Sequence, residues 1–382
     1  MRSFYKIIHT SAGSGWGETE RRILTEAVWM ENQGHLPVIA APLKSPLFQK
    51  ARARGIVTYP LSFQTLAQVG EYGQLKQIFE NEQPFVVNAH SREDARIALK
   101  AAQKTGVPCR IITRHSGGRL KNTWPNRNLY KKLSHYVFTT GQDTTRHVQS
   151  VFGLSEMEVF SIPDSIRPPS SLVPKDRARK DLARHFGLAP ETRFIGVLCG
   201  NADKRHLKTV LDAFTLLGKS HPHHLVVAGA AGKKGNASDL FQKEKSRIHL
   251  YTSSSAIPDW LLYRSLDCSI QIPEQDDFAG VPLEMIKTMY CSCPVVGGEA
   301  AGIRDLLVHE QTGLVFDPAS PESLAGAVST SLNEDGAALE RTYTARNRVK
   351  KLYTADAMGR DIIRIYRLHQ VKLERRLLPG SF

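Results

Sequence analysis

Cysteine is scarce in this chain. Cys109, Cys199, Cys268, Cys291 and Cys293 are five in 382 residues, odd in number and without the paired spacing of a disulfide framework or a zinc site. Reduced thiols in a cytosol are expected, with Cys291-Ser292-Cys293 part of a core. Long apolar runs are missing too. No stretch approaches the ~20 residues that a membrane-spanning helix needs. The first residues, Ser3-Phe4-Tyr5-Lys6-Ile7-Ile8-His9, hold neither the apolar segment nor the small-residue cleavage site of a secretory signal. Low-complexity tracts and repeats of about 20 to 50 residues are absent, which disfavours disordered arms and solenoids. The expectation is a soluble globular protein of the cytosol, long enough for two or three domains.

Acid is the minority charge. Fifty-one Lys and Arg face 37 Asp and Glu, a net charge of +14 with histidine neutral. Such a surplus favours a polyanionic partner: nucleic acid, a phosphorylated glycan or an anionic membrane face. It is uneven. Arg110 to His135 carries seven Lys and Arg with no acid, and Arg341 to Arg376 carries eleven with three acids. Trp124, Leu129 and Tyr130 interleave with the first set, so an amphipathic cationic surface for anionic lipid headgroups is one reading, and a pocket for a phosphorylated acceptor another. Helix-turn-helix, zinc and aromatic-basic RNA motifs are all lacking, so a nucleic-acid partner is not expected.

Short β-branched runs alternate with helical patterns, the signature of parallel sheets with crossover helices. One series of strands is expected at Tyr5–His9, Pro37–Ala40, Phe85–Ala89, Arg110–Thr113, Tyr136–Thr139 and Val159–Ile162. A second is expected at Phe194–Cys199, His224–Ala228, Ile248–Tyr251, Cys268–Gln271, Cys293–Val296 and Gly313–Val315. Between them Arg167 to Pro174 holds three prolines, a linker in which regular pairing is denied. From Tyr343 the pattern reads as helical to about Leu377, with Gly359 its weak point. The fold class is α/β, two Rossmann-like doubly wound domains facing across a cleft: residues 1–168 and residues 169–354. Ligands of open α/β sheets bind at the carboxyl ends of the strands.

The most informative segment runs Asp276-Asp277-Phe278-Ala279-Gly280-Val281-Pro282-Leu283-Glu284. Pro282 suits the first helical position, which puts Glu284 in the first turn. Unpaired amides and the positive dipole end form an anion site there, suited to a diphosphate. A carboxylate in that turn is compatible with the anion if it turns aside to accept hydrogen bonds from a diol such as a ribose. Asp276 would reach the other end of the same ligand; Asp276-Asp277 is only a slight metal signal, and no metal is expected.

Here the sequence resembles the retaining glycosyltransferases of family 4, which have the GT-B fold. Their hallmark is two glutamates separated by seven residues, then a small-Pro-Val-Val strand. Asp276 and Glu284 hold the spacing, with Asp in the first place, and Cys293-Pro294-Val295-Val296 holds the strand. Ala301-Gly302-Ile303-Arg304-Asp305 and Gln311-Thr312-Gly313-Leu314-Val315 match further family segments in order. Gly200-Asn201-Ala202-Asp203-Lys204-Arg205 stands where the family clamps the diphosphate, though Gly200 replaces its usual Arg. The resemblance implies that Glu284 binds the nucleotide ribose and Asp276 the donor sugar. It gives Phe278, Ala279, Gly280 and Val281 as backbone contacts to sugar and phosphate, and Lys204 and Arg205 as the cations at the leaving group. Gly15 and Gly17, in a loop after the first strand, would let backbone approach the donor phosphate or acceptor. His90 and His115 would line the cleft, His115 touching the transferred sugar. A C-terminal helix at 355–382 would complete the first domain, with Asp356 to Tyr366 packed on it.

The implied activity is retaining transfer of a sugar from a nucleotide-sugar donor to a hydroxyl of a cell-envelope glycan or glycolipid, such as lipopolysaccharide core, with no cofactor required. The implied place is the cytoplasm, including the inner face of the plasma membrane. A nucleotide-sugar epimerase on the same architecture and a nucleic-acid-binding protein are the alternatives.

Overall fold

The computed structural model describes residues 4–64, 68–115, 118–199, 204–218, 221–229, 246–251, 258–273, 280–332 and 336–377. The chain divides into two compact units: Met1–Ser165 with Ala355–Phe382, and Ile166–Thr354. The first holds β1 (Lys6–Thr10), β2 (Leu36–Ala41), β3 (Val57–Pro60), β4 (Val86–Ala89), β5 (Cys109–Arg114), β6 (Tyr136–Thr139) and β7 (Val159–Ser161). Their order is β3-β2-β1-β4-β5-β6-β7. The second holds β8 (Phe194–Cys199), β9 (His224–Gly229), β10 (Ile248–Tyr251), β11 (Cys268–Gln271), β12 (Val295–Gly298) and β13 (Leu314–Phe316), in the order β10-β9-β8-β11-β12-β13. Every pairing is parallel, and the central strands are buried nearly end to end, as sheets covered on both faces require.

Alternation along the strands of the first unit sorts its core into two layers. Ile8, Val87 and Ile112 pack against Ala95, Ala98, Leu99 and Ala102 of the helix Arg92–Lys104. Ile7, Val86 and Ile111 point the other way, onto Trp29 and Met30 of the helix Glu18–Asn32 and Met358, Ile362 and Tyr366 of the terminal helix Ala355–Leu377. The chain thus leaves the first unit, builds the second, and returns to close the first unit's core.

Three features depart from the sequence expectation. β3 was unforeseen, because an edge strand that is half-exposed and ends in proline carries little apolar signal. The helix expected to run unbroken past Tyr343 stops at Leu352 and restarts at Ala355. At the break Ile166 donates to the Tyr353 carbonyl (2.9 Å) and bridges Thr354, which holds the outgoing and returning chain side by side. Leu129 and Tyr130, read as part of a cationic surface, lie in the first unit's core, Tyr130 stacked on Phe152 at 4.8 Å. Trp124 alone of the three is exposed, at 73%.

Gly359 is a point of closest approach, not of weakness. A Cβ there would lie 2.2 Å from Cε3 of Trp29, whose Nε1 donates to Asp356 (2.7 Å). Gly359→Ala is expected to lower unfolding stability by about 1–3 kcal/mol in urea melts, because overpacking outweighs the ~1 kcal/mol gained in helix propensity. Gly15→Ala, with nothing within 4 Å of the new methyl, serves as the neutral control.

Candidate active site

In the first unit a cavity of about 740 Å³ opens beyond the carboxyl ends of β1, β4 and β5, large enough for a sugar-sized ligand. Its walls carry four cations, Arg92, Arg114, Arg119 and Lys121, against two acids, Glu20 and Glu93. Glu20 is already engaged. Its carboxylate accepts from the Gly17 amide (2.8 Å), and a Cβ on Gly13 would sit 2.0 Å from its Oε1. Gly13 therefore cannot be any other residue without displacing that carboxylate. The cavity is left electropositive, suited to an anionic ligand.

Strand register explains the histidines at its floor. His9 on β1 lies level with Asn88 on β4, and Asn88 with Ile111 on β5. His90 is therefore two residues further along than His9, and His115 two further again. Steps of two keep all three on one sheet face. They form a staircase of imidazoles, with His9 Nδ1 3.0 Å from His90 Nε2 and His90 Nδ1 2.9 Å from His115 Nε2. Burial holds each well below the ordinary histidine range: His9 at about 3, His115 at about 4, and His90 lower than usual, the positive charge of Arg22 adding to the effect. They are neutral at physiological pH. His90 also donates its amide to Asp94 (3.0 Å), whose carboxyl burial lifts to about 6 against the pull of its hydrogen bonds.

Behind the staircase lies a buried ionic cluster. Arg22 and Glu26, one turn apart on the helix Glu18–Asn32, both face the sheet. Arg22 donates to the Ile162 carbonyl (2.6 Å) and pairs with Asp164 (2.9 Å). Glu26 is wholly buried with its Oε1 3.9 Å from His9 Nε2, and burial lifts its carboxyl to about 7 against the lowering charge of Arg22. Neither Glu26 oxygen, His9 Nε2 nor the Tyr366 hydroxyl has a hydrogen-bond partner among the described residues.

In the second unit Leu283–Tyr290 forms a helix after β11. Pro282 is its N-cap rather than its first helical residue, a shift of one position that leaves Glu284 in the first turn. The Glu284 carboxylate is half-buried and makes no side-chain hydrogen bond to a described residue, while its carbonyl accepts from Thr288 (2.6 Å). Lys287 lies 3.9 Å from Asp259 and over the Tyr263 ring at 5.5 Å, so it braces the helix. A carboxylate with no hydrogen bond to a described residue, beside first-turn amides, is ready for a ligand that offers both hydroxyls and negative charge.

The sequence candidates fall into separate groups. His90 and His115 both line the first unit's cavity, while Gly15 and Gly17 are not among its walls. Glu284, Gly280 and Val281 cluster at the helix start of the second unit, Val281 buried in its core. Lys204 and Arg205 open the helix Lys204–Leu217 after β8, with Arg205 exposed. Asp276, Phe278 and Ala279 lie outside the described residues. Among those, no group of His, Cys, Asp and Glu has the arrangement of a metal site. Cys291 and Cys293 are buried in the core, and burial pushes the Cys291 thiol up to about 12, which removes its nucleophilic form. The sequence marked Gly13 as the first residue of the glycine loop after β1 but gave no signal for His9, Arg22 and Glu26.

No helix among the described residues is long and apolar enough to cross a membrane. Residues 19–168 match the family model described as Glycosyltransferase Family 4, and residues 180–348 match Glycosyl transferases group 1. An uncharacterized glycosyltransferase of Methanocaldococcus jannaschii is 23% identical over 235 residues, 61% of this chain and 60% of its own length. The chain thus spans about three fifths of that curated relative. The crystal structure of a glycosyltransferase from Rickettsia africae superposes with a TM-score of 0.81 at 16% identity, covering 96% of this chain and 99% of the other. Anabaena HepE in complex with UDP-glucose superposes with a TM-score of 0.72 at 14% identity, covering 94% and 98%. With one family model on each doubly wound unit, and this architecture in both solved structures, the chain belongs to the family-4 glycosyltransferases and has the GT-B fold.

Proposed function

We propose that the protein is a retaining glycosyltransferase that moves a sugar from a nucleotide-sugar donor to a hydroxyl of an anionic cell-envelope glycan or glycolipid, lipopolysaccharide core being one such acceptor. The observation that carries this is Glu284: a half-buried carboxylate with no hydrogen bond to a described residue, in the first turn of a helix that follows β11. It binds the ribose diol of the donor, and the first-turn amides, with the backbone of Phe278 to Val281, hold the diphosphate and sugar hydroxyls. Asp276 contacts the donor sugar. The family supports this reading, as does a structural neighbour that binds UDP-glucose.

The chemistry needs charge at the leaving group more than a strong base. As the anomeric carbon–oxygen bond to the diphosphate breaks, the acceptor hydroxyl attacks from the same face and its proton passes to the departing phosphate oxygen. Lys204, Arg205 and the helix amides stabilise the developing charge, and preorganised groups of this kind lower a barrier by about 3 kcal/mol each. No cofactor is needed for these steps. The electropositive cavity of the first unit takes the acceptor, with the neutral His115 on its wall facing a hydroxyl of the transferred sugar. Its net positive walls favour phosphate or carboxylate on that glycan. The protein acts in the cytoplasm, with peripheral placement at the inner membrane face where a glycolipid acceptor resides.

A panel of nucleotide sugars tests the donor half. One member is expected to raise the melting temperature, since a ligand at a hundred times its dissociation constant adds about 2.7 kcal/mol. If none of the panel shifts the melt, the donor assignment is wrong.

A further inference from the structure

The histidine staircase ends in the cavity at one side and at a buried carboxylate on the other. The middle ring uses both of its nitrogens: His90 bonds His9 through Nε2 and His115 through Nδ1. A row of neutral imidazoles joined in this way has only two arrangements of protons, because one ring's donor must meet the next ring's acceptor. Fixing the proton at either end therefore fixes all three rings.

The inner end is fixed by charge. Glu26 Oε1 lies 3.9 Å from His9 Nε2, a gap that a small movement of the carboxylate closes. The groups that face Glu26 are Arg22 on its own helix, His9 on β1 and Tyr366 on the terminal helix, with Asp164 beyond Arg22. Burial opposes ionisation and Arg22 favours it, so Glu26 is a charged anchor above about pH 7. An ionised Glu26 repels a lone pair on His9 Nε2 and attracts a proton there. His9 Nδ1 then accepts from His90 Nε2, and His90 Nδ1 accepts from His115 Nε2. What remains is His115 Nδ1, a lone pair with no hydrogen bond to a described residue, on a ring that lines the cavity and feels both Arg22, which favours the lone pair, and Asp164, which opposes it.

We propose that Glu26 and His9 are positioning residues which, through His90, set His115 in the Nε2–H tautomer so that its Nδ1 accepts a hydrogen bond from a hydroxyl of the bound sugar. The site then selects ligands with a hydroxyl donor at that point and disfavours a bare ether or carboxylate oxygen there, which would meet a lone pair with a lone pair. This use of His115 rests on the transferase reading; the tautomer does not.

The test is long-range nitrogen–proton correlation spectroscopy on the full chain labelled with ¹⁵N-histidine, without substrate, at about pH 8.5, above the Glu26 value near 7. In the wild type all three buried histidines are expected as Nε2–H tautomers, with His115 Nδ1 unprotonated. In Glu26→Leu both His115 nitrogens are expected at averaged shifts, because the anchor of the row is gone. His9→Phe, which keeps a ring but breaks the chain, is expected to give the same averaging and stands in if Glu26→Leu does not fold. A His115 Nδ1–H tautomer in the wild type, or an unchanged His115 spectrum in the variants that fold, overturns the proposal. A donor screen without a hit would end the transferase reading and leave this result standing.

Discussion

Glu284→Ala is expected to weaken binding of the nucleotide sugar by between about tenfold and a hundredfold, read by titration calorimetry with the donor that the thermal screen identifies. A hydrogen bond to a charged group contributes about 1.5–3 kcal/mol, and each 1.4 kcal/mol is a factor of ten. The fold should hardly notice. The carboxylate makes no hydrogen bond to a described residue, and an acid in the first turn of a helix contributes only about 0.5 kcal/mol through the dipole. The variant therefore separates binding from stability. Wild-type affinity in a well-folded Glu284→Ala would remove the ribose from this carboxylate and with it the central contact of the proposed donor site.

The largest effect on stability is expected from Arg22→Met. The guanidinium is almost wholly buried and stands between Asp164, the Ile162 carbonyl and the helix neighbour Glu26. Methionine fills much of the volume but leaves the acids without their cation, and breaking a buried pair from one side costs about 3–5 kcal/mol. The loss should grow with pH. Glu26 already holds its proton more tightly in the folded state than in the unfolded chain, its carboxyl lifted to about 7. A raised carboxyl favours the folded state below its unfolded value and loses that contribution as pH rises through the folded one. Removing Arg22 lifts it further, so urea melts at about pH 8 should show a larger deficit than melts at about pH 6. An equal deficit at both would mean that Glu26 does not feel Arg22.

Much of the fold could be read along the chain because parallel strands covered on both faces are near-continuous apolar runs, as in Val86–Ala89 and Phe194–Cys199. β3 could not, since Val57–Pro60 is half in water and has no such run. The site divides in the same way. Glu284 and the two histidines follow strand ends, where position alone marks them. His9 is hidden within an apolar strand, and Arg22 and Glu26 on an amphipathic helix look like members of a solvated face. Only the packing of that helix against the sheet turns them inward. The cationic run after Arg110 was visible as charge, but not that Arg114, Arg119 and Lys121 would border a cavity while Leu129 and Tyr130 went to the core.

The detour of the chain through the second unit sets an order on its birth. Tyr366 and Ile362 are translated after every residue of Ile166–Thr354, so in a nascent first unit the layer of Ile7, Ile111 and Phe138 has only part of its cover, from Trp29 and Met30, while its neighbour can already be complete. Domains made early in synthesis usually fold early. Here the first unit must wait for a helix made after its whole neighbour, and its apolar face is sealed only when that helix has left the ribosome.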